Sequence, residues 1–198
     1  PKSPPQPGIG LLFGPVEMDR MRELYLSPLF DQVRAADQQL VERHRQIEPL
    51  SNLRPFLLYG TEFMRQRDLP YRRDVDGLLL AMHGLLNRDE ATLLLAAKHA
   101  IVLAHMDHWA DGFMDRFPGS NWTHAAFAPN VGSIQASLLL DWCWDVLTPA
   151  GRELIRESIR TKGLPFIKPH LSAMANQGVR FHKGLILGKI ASDTSGRP

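Results

Sequence analysis

Residues 131–163 read VGSIQASLLLDWCWDVLTPAGRELIRESIRTKG, and the dipeptide Thr148-Pro149 in the middle decides the fold. Before it, Ile134, Leu138, Leu139, Trp142 and Val146 recur at three- and four-residue spacing, the period of a helix that buries one face. Threonine is a good N-cap, and proline suits the first helical position, where a backbone N–H has no partner to lose. Gly163 supplies a stop. The spacing therefore predicts one helix over 131–147 and another over 149–162, joined by almost no loop. Helices joined so tightly fold back on each other as a hairpin.

The same pattern extends in both directions. Upstream, 74–86 is a strongly apolar helix, and Asn87 stands three residues before Glu90 in capping-box spacing. A long Ala- and Leu-rich helix is expected over 88–117, making a second hairpin. From 18 to 46 an amphipathic stripe runs through Met21, Leu24, Leu29, Phe30, Val33, Leu40 and Val41, broken around Ser27-Pro28. Residues 51–65 repeat it with Leu53, Phe56, Leu57, Tyr59 and Phe63. Downstream, a last helix is expected over 179–191. The first eight residues hold four prolines and read as an extended strap, so 1–15 is set apart from the helical residues 16–198. Nowhere does the β-branched alternation of a sheet occur. The chain is all-α. Its hairpins must stack on neighbours, as a bundle, a solenoid or a closed toroid, and periodicity does not choose among these.

Composition removes whole classes of function. The chain has 198 residues, 44% hydrophobic and 22% charged, which excludes collagen, long disorder and a pure linker. No run approaches the roughly 18 apolar residues that span a bilayer. The single cysteine, Cys143, excludes an intrachain disulfide framework and a multi-cysteine zinc site. A net charge of +2 is too small to argue for nucleic acid. A chain beginning at Pro1 is expected to be trimmed or cut from a longer one.

Several residues could carry chemistry. His105-x-x-His108 lies late in the long helix, its imidazoles sharing a face at i and i+3, with Asp107, Asp111 and Asp115 spaced four apart nearby. The established helical zinc motif, however, sets its histidines four apart around a glutamate. We assign no metal and no cofactor. The loop 118–129 contains Asn121, Trp122 and His124. An indole face can stack on a sugar while amide and imidazole bind its hydroxyls, or the Trp can plug the mouth of a helical core. Trp142, Cys143 and Trp144 read as packing, since no cation neighbours the thiol. Residues 148–191 carry eight Lys or Arg against two Glu, net +6 on a chain whose remainder is −4. Such a segment either favours an anionic ligand or forms a helix face balanced by acids elsewhere in the fold. Within it, Asn176-Gln177-Gly178-Val179-Arg180-Phe181-His182 opens the last helix, where backbone N–H groups favour a carboxylate or phosphate.

Four stretches together resemble heparinase II/III-like and alginate-lyase-like polysaccharide lyases. PPQPGIGLLFGPVEMDRMRELYLSPLF (4–30) is similar to the family's proline-led strap, apolar LLF and first helix. AMHGLLNRDEATLLLAAKHAIVLAHMDHW (81–109) and ASLLLDWCWDVLTPAGRELIRESIRTKGL (136–164) resemble successive helix pairs. Asn176-Gln177-Gly178 stands where the family carries an Asn-His-Gly type motif. The resemblance implies an incomplete (α/α) toroid whose remainder, with a β-sandwich domain, lies beyond residue 198 of the same parent chain. It implies a periplasmic or secreted enzyme that cleaves an acidic, uronate-containing polysaccharide by β-elimination, without cofactor. Asn176 takes the carboxylate-neutralising role. Gln177 replaces a histidine that acts as base in some members, and glutamine holds no proton near neutral pH. Trp122, His124, Asn121, Arg180, Lys183 and His182 become substrate-binding candidates converging on one groove. The family's catalytic tyrosine would follow residue 198. A non-catalytic helical domain that binds glycan or protein is the alternative.

Overall fold

In a computed structural model, the structure describes residues 4–46, 49, 76–107, 109, 127–170 and 175–193. Every regular element among them is helical, so the chain is all-α as its spacing predicts. The first helix, α1 (Pro15–Leu26), starts on a proline, and the Glu17 carboxylate accepts the Gly14 N–H at 3.0 Å. It stops where Ser27 precedes Pro28, its hydroxyl donating back to Leu24 O at 2.6 Å. A 3₁₀ turn (Pro28–Phe30) then leads into α2 (Asp31–Arg45), whose last turn holds Arg43, His44 and Arg45 against the negative helix end. The helical pattern at 51–65 lies outside the described residues.

The next pair, α3 (Asp76–Asn87) and α4 (Glu90–His105), corrects the expected cap. The N-cap is Asp89, which accepts Thr92 N at 3.1 Å, and not Asn87. Asn87 instead reaches back, its amide donating to His83 O at 3.0 Å. Between the helices Arg88 takes φ 56°, a left-handed position usually given to glycine. Asp89 N then donates to Gly84 O at 2.9 Å, the six-to-one bond of a Schellman turn. Gly84 lets the pair close, since a Cβ there would lie 2.6 Å from Leu93 Cγ.

The expected run of α4 to residue 117 is also corrected. The helix ends at His105, with Met106 extended at ψ 138°. Its last carbonyls are taken from outside: Lys162 Nζ donates to Ala104 O at 2.6 Å and to Met106 O, and the indole N–H of buried Trp109 donates to Leu103 O at 2.9 Å. A cation at a helix C-terminus satisfies both the dipole and the unpaired carbonyls.

Helix α5 (Phe127–Trp142) begins and ends about one turn before its expected bounds and passes through a 3₁₀ turn (Trp144–Val146). Helix α6 (Pro149–Ser158) starts as read, with Gly151 N donating to Thr148 Oγ1 at 3.1 Å. Gly163 is no stop. The chain continues through a π-helical turn (Ile159–Gly163) into α7 (Leu164–Ile167), a 3₁₀ turn (Lys168–His170) and α8 (Ala175–Ser192). Gly163 is needed for close approach, because a Cβ would sit 2.1 Å from Ser133 Oγ and 3.1 Å from the Trp109 ring.

Helix α5 is the centre of the molecule. It packs against α3, α4, α6, α7 and α8, while α1 and α2 lie against α3. Ala136, Leu138, Leu139, Leu140 and Trp142 are buried, as are Ser133, Gln135, Ser137 and Asp141, so this helix is enclosed on nearly all sides. No helix of the described residues is long and apolar enough to cross a membrane.

Candidate functional site

Two Gly positions set α8 onto the core. Gly184 N donates to Asn130 Oδ1 at 3.2 Å, and a Cβ there would lie 2.4 Å from the same oxygen. Gly188 lies against Leu164 and Ile159, with Phe181, Leu185 and Ala191 buried on the same side. The opposite side is left to solvent. Val179 is 65% exposed, Ile186 52% and Ile190 40%, interleaved with exposed His182, Lys183 and Lys189. Three exposed aliphatic residues at this spacing form a continuous apolar-and-basic stripe.

Part of the predicted site falls on this helix. His182 and Lys183 lie on its exposed side. Asn176, Gln177 and Arg180 lie within α8, which begins four residues before its expected start, so the Asn-Gln-Gly motif occupies its first turn. The side chains of these three, and all of Asn121, Trp122 and His124, lie outside the described residues. Positions 176, 180 and 183 follow i, i+4, i+7 and so share one stripe of the helix. Of the pair His105 and His108, the first ends α4 and the second lies outside the described residues. Among the described residues no three His, Cys, Asp or Glu side chains group as metal ligands.

The aromatic run on α5 resolves into packing with one addition that spacing does not reveal. Cys143 is buried, and burial pushes its thiol pKa up, away from a reactive thiolate. Trp142 stacks on Phe13 with ring centres 5.8 Å apart. Trp144 carries the Arg152 guanidinium over its ring at 4.1 Å and that of Arg156 at 5.3 Å. Gly8 packs so tightly on the same indole that a Cβ would lie 2.0 Å from Trp144 Cγ.

Beside Trp142 in the chain, Asp141 is fully buried at the end of α5. Its Oδ1 accepts Ile9 N at 2.5 Å and Gly10 N at 2.8 Å, and its Oδ2 accepts Leu11 N at 2.9 Å. Gly8 N donates to Asp141 O at 2.9 Å. Gly10 adopts φ 74°, which turns these successive N–H groups toward one carboxylate. Arg22, also buried, donates to Leu85 O at 2.9 Å, to Asp19 at 2.8 Å and to Pro5 O. The proline-rich strap is thus fixed to the helices by polar contacts at both of its halves.

A titratable cluster joins α1, α2 and α3. Asp37 Oδ2 accepts the Tyr25 hydroxyl at 2.6 Å and lies 2.7 Å from His83 Nδ1. Burial, and then the hydrogen bond to Asp37, push the Tyr25 pKa up to about 12. Burial alone would raise Asp37, but the hydrogen bonds from His83 and Tyr25 outweigh it and hold the carboxyl below its ordinary value. The three residues come from positions far apart in the chain, and no local spacing signals them. Nearly enclosed, they act as a clamp between helices. Comparisons with protein families, with curated proteins and with solved structures find no match for this chain.

Proposed function

We propose that this chain is the helical part of a polysaccharide lyase that cleaves an acidic, uronate-containing glycan by β-elimination, its hairpins forming an incomplete (α/α) toroid. The observation that carries the reading is the exposed stripe of α8, where Lys183 stands two turns beyond Asn176 on one register. The C5 proton of a uronate is only weakly acidic, so elimination requires its carboxylate to be neutralised before the proton leaves and O4 is released. Asn176, in the first turn of α8, supplies the amide donor in this reading, assisted by the positive end of the helix. Lys183, His182 and Arg180 attract and align the neighbouring anionic residues. Trp122, with Asn121 and His124, forms the sugar platform. Gln177 positions substrate and takes no proton. The base and the acid come from the part of the parent chain that follows, which also carries the β-sandwich domain, in a periplasmic or secreted enzyme.

The apolar stripe also supports the toroid. Val179, Ile186 and Ile190 on α8, and Leu24, Leu29 and Val33 on α1, the Pro28–Phe30 turn and α2, leave apolar side chains in solvent at both ends of the helical stack. Further helices packing there would bury them.

The test is ultraviolet absorbance of the parent protein incubated with alginate, heparin or hyaluronan, since only elimination creates an unsaturated uronate. Asn176→Ala should lower turnover by roughly two to three powers of ten, the scale of losing one oxyanion donor. Full activity after that substitution refutes the assignment. The second reading, a non-catalytic glycan- or protein-binding helical domain, is favoured by Gln177 standing where a proton acceptor would be. Binding of the glycan without any absorbance change would establish it.

A further inference from the structure

A cleft of about 590 Å³ lies away from α8, between the outward side of α4 and the turn that starts α6. Its floor is a stripe of α4: Leu94, Leu95, Lys98, Ile101 and Val102. Val146, Leu147, Thr148 and Gly151 form the opposite wall, and Arg45, Gln46 and Pro49 close one end. From residue 94 to 102 the floor runs about 12 Å, eight residues at the rise of an α-helix. The volume is that of a small-molecule site.

The polar groups of this cleft are one-sided. Among the described residues that line it, two are cations, Lys98 and Arg45, and none is a carboxylate. Arg45 is already committed, reaching Asp89 and, at 2.5 Å, Thr92 Oγ1. Lys98 is exposed in the middle of the apolar floor, with no ion pair among the described residues. The N-terminus of α6, a ten-residue helix with no acidic residue in its first turn, opens on the same wall through Thr148 and Gly151. Aliphatic side chains for a tail and positive groups for a head thus face the same space.

We propose that this cleft binds an elongated apolar molecule ending in one anionic group, of the class of medium- and long-chain carboxylates. The tail lies along Leu94, Leu95, Ile101 and Val102, and the carboxylate meets the Lys98 ammonium. Nothing in this depends on a glycan or on Asn176.

Calorimetric titration of the chain with decanoate, below its micellar concentration, tests the site. A single site is expected, with each added methylene tightening binding roughly fourfold. Lys98→Glu should weaken decanoate at least tenfold. Leu94→Glu, at a position already 45% exposed where the free protein keeps the new charge in water, should do the same by placing a charge on the floor. Decyltrimethylammonium, with the same tail and the opposite head, should not compete. Absence of decanoate binding overturns the proposal. So does equal binding of the cationic analogue, or binding that neither substitution changes.

Discussion

Removing the Asp141 carboxylate should loosen the strap and leave the helices folded. In Asp141→Ala the N–H groups of Ile9, Gly10 and Leu11 all lose their acceptor. Hydrogen bonds to a charged acceptor contribute about 1.5–3 kcal/mol each, and a buried donor left unpaired costs about 1–3 kcal/mol. The full sum is not reached, for two reasons. Burying the carboxylate itself carries a desolvation cost that the alanine escapes. The strap can also leave its seat and let water take up the three N–H groups, surrendering the Phe13–Trp142 stack as it goes. We expect a net loss of about 2–4 kcal/mol. Asp141→Asn separates the contributions. Its remaining carbonyl oxygen can keep the two bonds made to Oδ1, while its amide nitrogen turns a donor toward Leu11 N–H, so the loss should fall to about 1–2 kcal/mol. Urea unfolding followed by circular dichroism gives both values, and protease sensitivity of residues 4–14 reports the strap directly. An alanine variant within about 0.5 kcal/mol of the parent, or a strap that stays protected, would refute the reasoning.

Three further outcomes follow from other sites. Tyr25 has a folded pKa raised to about 12, above the unfolded value near 10, so its contribution is complete below pH 10 and is lost as pH rises toward 12. Tyr25→Phe should flatten that alkaline loss in a stability profile against pH; an unchanged slope between pH 10 and 12 counts against the cluster. Arg88→Gly should stabilise the protein by about 0.5–1 kcal/mol, because glycine adopts the left-handed turn at no steric cost, and a lower melting temperature would contradict this. Cys143 should resist thiol reagents in the native protein and react fully in denaturant, whereas rapid native labelling would show the burial to be wrong.

What the sequence makes legible is what local chemistry decides. Thr148-Pro149 starts α6 and Ser27-Pro28 breaks the first helical stretch, because in each case the bonding partners lie within a few residues. The errors arise where the partner is distant. The end of α4 is set by Lys162, 58 residues downstream of Ala104. Gly163 looks like a stop, but its neighbours are Ser133 and Trp109 on other segments, and contact with them requires the missing Cβ. Arg88 is hidden because a non-glycine residue holds the left-handed turn that usually advertises a helix end. The site divides in the same way. The basic residues of the last helix are visible in the sequence, and the structure leaves His182 and Lys183 exposed on it. The Tyr25–Asp37–His83 cluster and the cleft beside Lys98 are assembled from separate helices, so no window of sequence contains them.

The seat of the strap also dictates an order of events during synthesis. Ile9 is made before its acceptor on Asp141, which comes 132 residues later. Closing a loop of that length costs about 4 kcal/mol in chain entropy, repaid only after the end of α5 has formed its surface. Helical hairpins with close partners can assemble as they emerge, whereas the amino-terminal segment must wait for the middle of the molecule. Its docking on Asp141 is therefore a late step that monitors completion of α5, and a nascent chain interrupted before residue 141 leaves residues 8–11 without their acceptors and open to protease.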